Sequence, residues 1–327
     1  MTESSSLLTT LKSRAARIDR VMEEDLASIE SPLLAEIIRH AIFQGGKRIR
    51  PLLCLQAAAL IGPVPADTAR LAISFEYLHA ASLLHDDIID HSALRRGRPT
   101  ANTLWGGGPV ILAGDYLHAR AMALAGEVAG RRVLAVIGRA TEAMVEGEFL
   151  QMRVAKESLT SENGYFRVLE GKTAALIAAA CEAGMMHNHG TAAQCEALRR
   201  YGANLGLAFQ IVDDLLDYLG DPERTGKTVG NDFQEGKMTL PLLRALNRAE
   251  PDDHQFLARL LAASPAERKE RQEEAGEIIA KNHGFTDARA RAEELINEAR
   301  RCLEIFPDSE AKGLLMGLAS YVLSRDK

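Results

Sequence analysis

Hydrophobic residues recur at three- and four-residue spacing through most of the 327-residue chain. The first such run places Leu8, Leu11, Ala15, Ile18 and Met22 on one face of a helix, with charged residues between them. The same periodicity predicts helices over 66–91, 109–126, 131–153, 163–187, 191–219, 286–303 and 309–324. No stretch shows the two-residue alternation typical of a half-buried strand. The pattern therefore predicts an all-α fold.

Glycine, proline and charged residues interrupt this pattern at Gly45–Gly46, at 91–108 and at 220–238. None of these breaks has the composition of a long Ser/Pro linker, and helical periodicity resumes on both sides of each. We therefore expect residues 1–327 to form a single helical domain.

Composition excludes several classes of function. The net charge of -6 and the pI near 5.9 argue against broad nucleic-acid binding, which needs a basic surface. The most apolar stretch, 173–186, contains Glu182 and is shorter than the roughly 20 apolar residues of a membrane-spanning helix. The N-terminal residues lack the pattern of a signal peptide. The widely spaced cysteines fit neither a zinc site nor a disulfide scaffold: Cys54, Cys181, Cys195 and Cys302. We expect a cytoplasmic protein without an integral membrane segment.

An Asp-Asp-x-x-Asp motif interrupts the apolar helix predicted over 66–91. Asp86 and Asp90 are four residues apart, so they project from one helix face, with Asp87 beside them. Carboxylates at this spacing suit magnesium, which binds one or two of them and completes its coordination with water and substrate phosphate oxygens. A solvated acidic turn is the alternative interpretation.

The motif occurs a second time as Asp213, Asp214 and Asp217, again directly after apolar residues. Unpaired charge is costly in apolar surroundings. Two acidic motifs that both follow apolar residues are therefore unexpected as chance surface turns. If the two copies face each other in a helical bundle, they would clamp several magnesium ions on one diphosphate.

Two basic segments supply the complementary charge. Residues 45–51 read GGKRIRP, and residues 95–100 read RRGRPT just after the first acidic motif. Arginine and lysine bind phosphate, although either segment alone would also suit a solvated loop. Further polar candidates are His79, Lys172, Thr173, Gln210, Lys227 and Lys237. His85 beside Asp86 superficially suggests a metal hydrolase, but no second histidine cluster accompanies it.

These motifs together resemble the trans-isoprenyl diphosphate synthases, and among them the long-chain bacterial polyprenyl synthases. The resemblance spans nearly the whole chain and is found, in family order, in GGKRIRP (45–51), LLHDDIID (83–90), RRGRPTAN (95–102), GEFLQ (147–151), GKTAAL (171–176), FQIVDDLLDYLGD (209–221), GKTVGNDFQEGKMTLP (226–241) and the closing GLASYVLSRDK. It implies an isoprenoid synthase-type helical bundle around a central cavity, and a homodimer. Asn231 stands where the family commonly has Asp, and Met238 replaces a frequent Pro.

The resemblance also implies a role for each candidate. Three magnesium ions would be bound with the allylic diphosphate, by Asp86, Asp90 and Asp213 with support from Asp87, Asp214 and Asp217. The allylic diphosphate would be held by Arg95, Lys172, Thr173, Gln210, Lys227 and Lys237, with Thr173 and Gln210 near the forming cation. Isopentenyl diphosphate would be bound by Lys47, Arg50, His79 and Arg96.

The implied reaction joins isopentenyl diphosphate head-to-tail (1′-4) to an allylic diphosphate, with farnesyl diphosphate as the expected starter. Ala81 and Ser82 lie five and four residues before Asp86, about one helical turn deeper. Their small size predicts a deep tunnel and an all-trans product of about C30 to C40, octaprenyl favoured, for quinone side chains. Small residues that serve only helix packing are the alternative.

Other functions stay open on the sequence alone. A short-chain synthase, such as a geranylgeranyl synthase, and a non-catalytic subunit of a heteromeric synthase are compatible with the helical pattern. A class I terpene cyclase also ionises prenyl diphosphates, but it does not need GGKRIRP for a second diphosphate. A metal phosphohydrolase would instead release phosphate from unrelated esters.

Overall fold

The computed structural model describes residues 3–95, 97–157, 161–220 and 230–325. Helices dominate these residues, which confirms the predicted all-α class. The strands within the described ranges are a two-residue antiparallel pair, β1 (Leu94–Arg95) and β2 (Arg98–Pro99). They form a tight hairpin inside the break predicted at 91–108.

Sixteen helices and one π-helical turn are described within these ranges. In chain order they are α1 (Glu3–Leu26), α2 (Pro32–Phe43), α3 (Ile49–Ala59), α4 (Thr68–Ile89), α5 (Ala101–Trp105), α6 (Gly107–Glu157), α7 (Glu162–Leu169), the π-helical turn (Glu170–Ala174), α8 (Ala175–His187), α9 (Ala192–Leu219), α10 (Asn231–Gln234), α11 (Leu240–Arg248), α12 (Pro251–Ala262), α13 (Pro265–Glu270), α14 (Gln272–Lys281), α15 (Gly284–Cys302) and α16 (Glu310–Leu323). Helix α6 is interrupted at Gly130, where φ is 74°.

Contacts divide the chain into two compact units. Unit 1 comprises Met1–Thr141, Leu176–Gly202 and Cys302–Gly317, and unit 2 comprises Glu142–Ala175, Ala203–Arg301 and Leu318–Lys327. The single domain expected from the sequence stays a prediction.

The core of unit 1 is built around α4. Every residue from Leu71 to Leu78 is buried, so this part of α4 is enclosed on all sides and exposes no polar face. It packs against α1, α2, α3 and α5. Full burial of a large side chain such as Phe75 contributes roughly 1.5–3 kcal/mol, so α4 is a firm support for the acidic motif at its C-terminal end.

Unit 2 has its own hydrophobic core beneath the second acidic motif. Phe233 of α10 packs with Leu242 of α11 and Leu257 of α12, all of them fully buried. Tyr218, the residue after Asp217, packs against this cluster with Phe285. The end of α9 is thereby anchored where the motif lies.

Candidate active site

The first acidic motif occupies the last turn of α4. Asp86 is half-buried, and Asp90 is the exposed residue that ends the helix, with its N–H donating to Asp86 O at 2.8 Å. One helical turn therefore separates the two carboxylates, as the sequence predicted. Asp87 between them is buried.

Asp87 is held by Arg95 of the neighbouring hairpin. Arg95 Nε lies 2.9 and 3.1 Å from the two carboxylate oxygens, and Nη2 lies 2.7 Å from Oδ1. Such a bidentate pair is among the stronger ion pairs in proteins. Asp87 was predicted to support the metal and Arg95 to bind diphosphate, and in this structure the two bind each other.

Within the basic segment at 45–51, Arg48 has a structural role. Arg48, with φ 49°, is buried and donates to Glu76 at 2.8 Å, to Asp19 at 2.7 Å and to the carbonyl of Ile42 at 2.7 Å. Lys47 next to it is exposed. Arg48 thus fixes the loop from which its neighbours project.

Arg50 has a donor that the described residues leave unsatisfied. Its Nε is buried and has no hydrogen-bond partner among them. Burial lowers the pKa of Arg50, while the charge of Glu76 opposes that shift. A buried donor of this kind is costly, and an anion would satisfy it. Of the other residues predicted to bind isopentenyl diphosphate, His79 is half-buried on α4, and Arg96 lies outside the described residues.

The two small residues predicted to set product length lie on α4 before the motif. Ala81 is buried with 3% exposure, and Ser82 is half-buried with its hydroxyl donating to His79 O at 2.9 Å. Neither presents a bulky side chain one turn below Asp86.

The second acidic motif lies on the last two turns of α9. Asp213 is 31% exposed and pairs with Arg325. Asp214 is buried and accepts hydrogen bonds from Tyr165 Oη at 2.6 Å and from Gln210 Nε2 at 3.2 Å. Burial raises the pKa of Asp214 to about 7, while these two hydrogen bonds oppose the shift.

Gln210 connects this carboxylate to Thr173. The Thr173 hydroxyl donates to Gln210 Oε1 at 3.5 Å, and the amide nitrogen of Gln210 donates to Asp214. The amide orientation is therefore set by both neighbours. The two residues predicted to lie near the forming cation do contact each other.

Asp217 binds the short helix α10. Its Oδ2 accepts from the N–H of Asp232 at 2.9 Å, and its backbone carbonyl accepts from Gly230 at 2.6 Å. Burial raises the pKa of Asp217 to about 6, with the charge of Asp232 adding to the effect. Asp217 therefore brings a fourth carboxylate, Asp232, to the second motif.

Lys237 pairs with the carboxylates that follow the second motif. Its Nζ is 2.9 Å from Asp232 and 2.8 Å from Glu235. Burial lowers its pKa, but these two carboxylates outweigh burial and raise it, so Lys237 is a firm cation. Lys227, predicted for the same role, lies outside the described residues.

Lys172 lies in the π-helical turn and pairs with Glu148 of α6. Two glycines allow the close approach. A Cβ on Gly147 would lie 2.7 Å from Lys172 N, and one on Gly171 would lie 2.6 Å from Ala143 O. The motifs GEFLQ and GKTAAL thus form one contact.

Four residues of this arrangement were not singled out from the sequence: Glu148, Tyr165, Asp232 and Arg325. Glu148 and Asp232 belong to motifs quoted for the family resemblance, and Arg325 to its closing segment. These three residues could therefore have been found from the sequence. Tyr165 lies outside every motif, so its bond to Asp214 was visible only in three dimensions.

The carboxylates suit magnesium that completes its coordination with ligands from outside the protein. Within the described ranges, no three His, Cys, Asp or Glu side chains are grouped so as to hold a metal ion alone. Magnesium commonly takes only one or two carboxylates and completes its shell with water and substrate phosphate. The half-buried Asp86 and Asp213 fit that need.

Comparison with known proteins identifies the family. The polyprenyl synthetase model matches residues 31–279. The chain is 37% identical over 311 residues to octaprenyl diphosphate synthase of Haemophilus influenzae, covering 94% of both chains. A geranylgeranyl pyrophosphate synthetase from Pyrococcus horikoshii superposes with a TM-score of 0.92 at 32% identity, over 99% of this chain and 100% of that one. A Caulobacter crescentus polyprenyl synthase, solved with calcium and isoprenyl diphosphate, superposes with a TM-score of 0.89 at 36% identity, over 99% of this chain and 98% of that one. The chain therefore belongs to the polyprenyl synthetase family and is a prenyltransferase.

Proposed function

We propose that this prenyltransferase extends farnesyl diphosphate by successive head-to-tail (1′-4) addition of isopentenyl units. The product is an all-trans polyprenyl diphosphate of about C30 to C40, with octaprenyl favoured, for quinone side chains. The observation that most supports a second diphosphate is the buried Nε of Arg50, which has no hydrogen-bond partner in the described part of the chain. A terpene cyclase, which binds one diphosphate, would not need that donor.

Reaction begins when the allylic C–O bond breaks and its electron pair leaves with diphosphate. Asp86, Asp90 and Asp213 would hold three magnesium ions, with Asp87, Asp214 and Asp217 in support. Magnesium bound there would neutralise the charge that develops on the leaving group. The Caulobacter relative was solved with calcium and isoprenyl diphosphate, which supports the binding of a divalent cation together with such a substrate.

Cationic side chains of the protein share this task. Lys172 lies in the π-helical turn, and Lys237 pairs with Asp232 after the second motif. We propose that both bind the allylic diphosphate, together with Arg95 and Lys227. In this structure Lys172 pairs with Glu148 and Arg95 with Asp87. Exchange of these carboxylates for phosphate oxygens is therefore part of substrate binding.

The carbon–carbon bond forms when the double bond of isopentenyl diphosphate attacks the allylic cation. Lys47, Arg50, His79 and Arg96 would fix that substrate by its diphosphate, which makes the attack effectively unimolecular. The oxygens of Thr173 and Gln210 would stabilise the cation by their dipoles. A proton then leaves the new carbocation, and we propose that the departed diphosphate accepts it.

Product length follows from the space below the first motif. Ala81 is small and buried and Ser82 half-buried, which supports a tunnel with room for a long chain. The similarity to the Pyrococcus geranylgeranyl pyrophosphate synthetase favours a C20 product as the second candidate.

We also propose a cytoplasmic homodimer. Helices α5 and α6 expose Leu104, Ile111 and Leu112 by 50%, 44% and 67%, which leaves an apolar surface for a second copy. All four cysteines are free, which fits a reducing compartment. None of the described helices has the length and hydropathy needed to cross a bilayer.

The test is purified protein incubated with magnesium, labelled isopentenyl diphosphate and farnesyl diphosphate, followed by chromatography of the dephosphorylated products. We expect a ladder ending near C40, and a loss of at least about 100-fold in turnover for Asp213→Asn. A single C20 product would select the second candidate. Hydrocarbon formed without isopentenyl diphosphate would indicate a cyclase, and absence of elongation would defeat the proposal.

A further inference from the structure

Arg325 lies against the second acidic motif within unit 2. Its Nη2 is 2.7 Å from Asp213 Oδ1, and its Cζ is 4.2 Å from the centroid of the Phe209 ring. Phe209 precedes Asp213 by one turn of α9, so one helix face offers the guanidinium both an aromatic surface and a carboxylate. Only 18% of the Arg325 side chain is exposed.

This contact satisfies only part of the guanidinium. Nη1 of Arg325 is buried and has no hydrogen-bond partner among the residues that the structure describes. A guanidinium has five N–H donors, and a buried donor without an acceptor costs free energy. In the Arg95–Asp87 pair, by contrast, two nitrogens share one carboxylate. The Arg325–Asp213 pair is therefore the easier of the two to displace.

Arg325 contacts the carboxylate of Asp213, to which a metal ion would also bind. Asp213 lies near the buried Asp214, which in turn interacts with Asp232. Like charges at this density repel, and a cation bound to Asp213 relieves the repulsion. A guanidinium and a divalent cation that both bind the same carboxylate oxygen compete with each other.

We propose that Arg325 is a displaceable counter-ion of the second acidic motif. It neutralises Asp213 in the metal-free protein and releases it when a divalent cation binds. This inference rests on the proposed function, since it takes Asp213 as a metal ligand. Arg325 thereby lowers the affinity of the motif for metal and couples metal binding to release of its own side chain from α9.

The first test measures Mn²⁺ affinity from the electron paramagnetic resonance signal of free Mn²⁺. All proteins also contain Asp86→Asn and Asp90→Asn, so that the first motif does not contribute. We expect Arg325→Gln to bind Mn²⁺ roughly three- to tenfold more tightly, and Arg325→Lys to stay nearer the parent. The matched control is Arg300→Gln, because Arg300 donates to Ser320 of α16 and not to Asp213. A purely structural role for Arg325 predicts weaker or unchanged binding in Arg325→Gln, and either result overturns the proposal.

The second test uses the unmodified protein and phenylglyoxal, which modifies accessible arginines. Mass spectrometry would follow Arg325 and, as an internal reference, the 46% exposed Arg199. We expect Mn²⁺ to increase the modification rate of Arg325 several-fold and to leave Arg199 unchanged. No increase at Arg325 refutes displacement. Neither test measures turnover, so a failed elongation assay would count against the proposed function separately.

Discussion

Neighbouring aspartates within each motif differ in what they contact. Asp87 and Asp214 are buried, and each is held by a side chain of another element, Arg95 or Tyr165. Asp86 and Asp213 are only half-buried. Buried carboxylates need such partners because unpaired charge is costly there. The inner aspartates are thus fixed by the protein, and Asp86 and Asp213 are more exposed than their buried neighbours.

Asp214 predicts a pH dependence of stability. Its pKa of about 7, against an ordinary value of 3.8, means that the folded protein binds more protons than the unfolded chain between these pH values. The free energy of unfolding therefore falls as the pH rises from about 4 to about 7. Asp214→Asn removes this contribution, so its stability relative to wild type should rise over that range and level off above it.

Urea unfolding followed by circular dichroism in metal-free buffer measures this difference. The surface substitution Asp252→Asn is the control, because Asp252 is exposed. Stability curves for Asp214→Asn and wild type that stay parallel from pH 4 to 8 would show that Asp214 ionises normally.

At the scale of elements, the π-helical turn depends on contact with α6. Gly147→Ala places a methyl group about 2.7 Å from Lys172 N, which α6 and the turn can relieve only by moving apart. We expect destabilisation of about 1–3 kcal/mol and slower turnover, because Lys172 moves with the turn.

Gly138→Ala is a matched control on the same helix, since nothing lies within 4 Å of an added Cβ there. It should stabilise the protein by up to about 1 kcal/mol through helix propensity and leave turnover unchanged. Urea titration and an elongation assay measure both effects. Equal stability and turnover in the two variants would mean that the close glycine contact is dispensable.

Long helices were predictable and short ones were not. The pattern predicted 66–91 and 191–219, which agree closely with α4 and α9, and it placed a gap before 131, where Gly130 interrupts α6. Helices α2, α3 and α10 to α14 were missed, because a few turns give too few periodic positions to distinguish a buried face. Motif spacing likewise predicted that Asp86 and Asp90 lie one helical turn apart, whereas Tyr165, the partner of Asp214, is 49 residues away in the sequence and carried no signal.

At the scale of the whole molecule, the proposed dimer predicts a sensitive surface on α6. Leu112 is 67% exposed in the single chain, so Leu112→Glu should not disturb the fold. In a dimer that buries this position, an introduced carboxylate would be desolvated, and dissociation should increase at least about tenfold. Sedimentation equilibrium measures the change. Leu33→Glu, at a 46% exposed position of α2, is the control. If both variants associate like wild type, the subunit contact lies elsewhere.

Product length connects the smallest side chains of α4 to the function of the whole protein. Ala81 is buried five residues before Asp86, about 7.5 Å deeper along the helix axis. If a growing chain passes this position, the series Ala81→Val, Ala81→Leu and Ala81→Phe should shorten the main product step by step, since each side chain takes more of the available volume. Ala80→Val, at a neighbouring buried position that points in another direction, should keep the wild-type length. Chromatography of dephosphorylated products, with circular dichroism to verify folding, decides the outcome. A folded Ala81→Phe protein with an unchanged product would leave Ala81 a packing residue and place the length limit elsewhere.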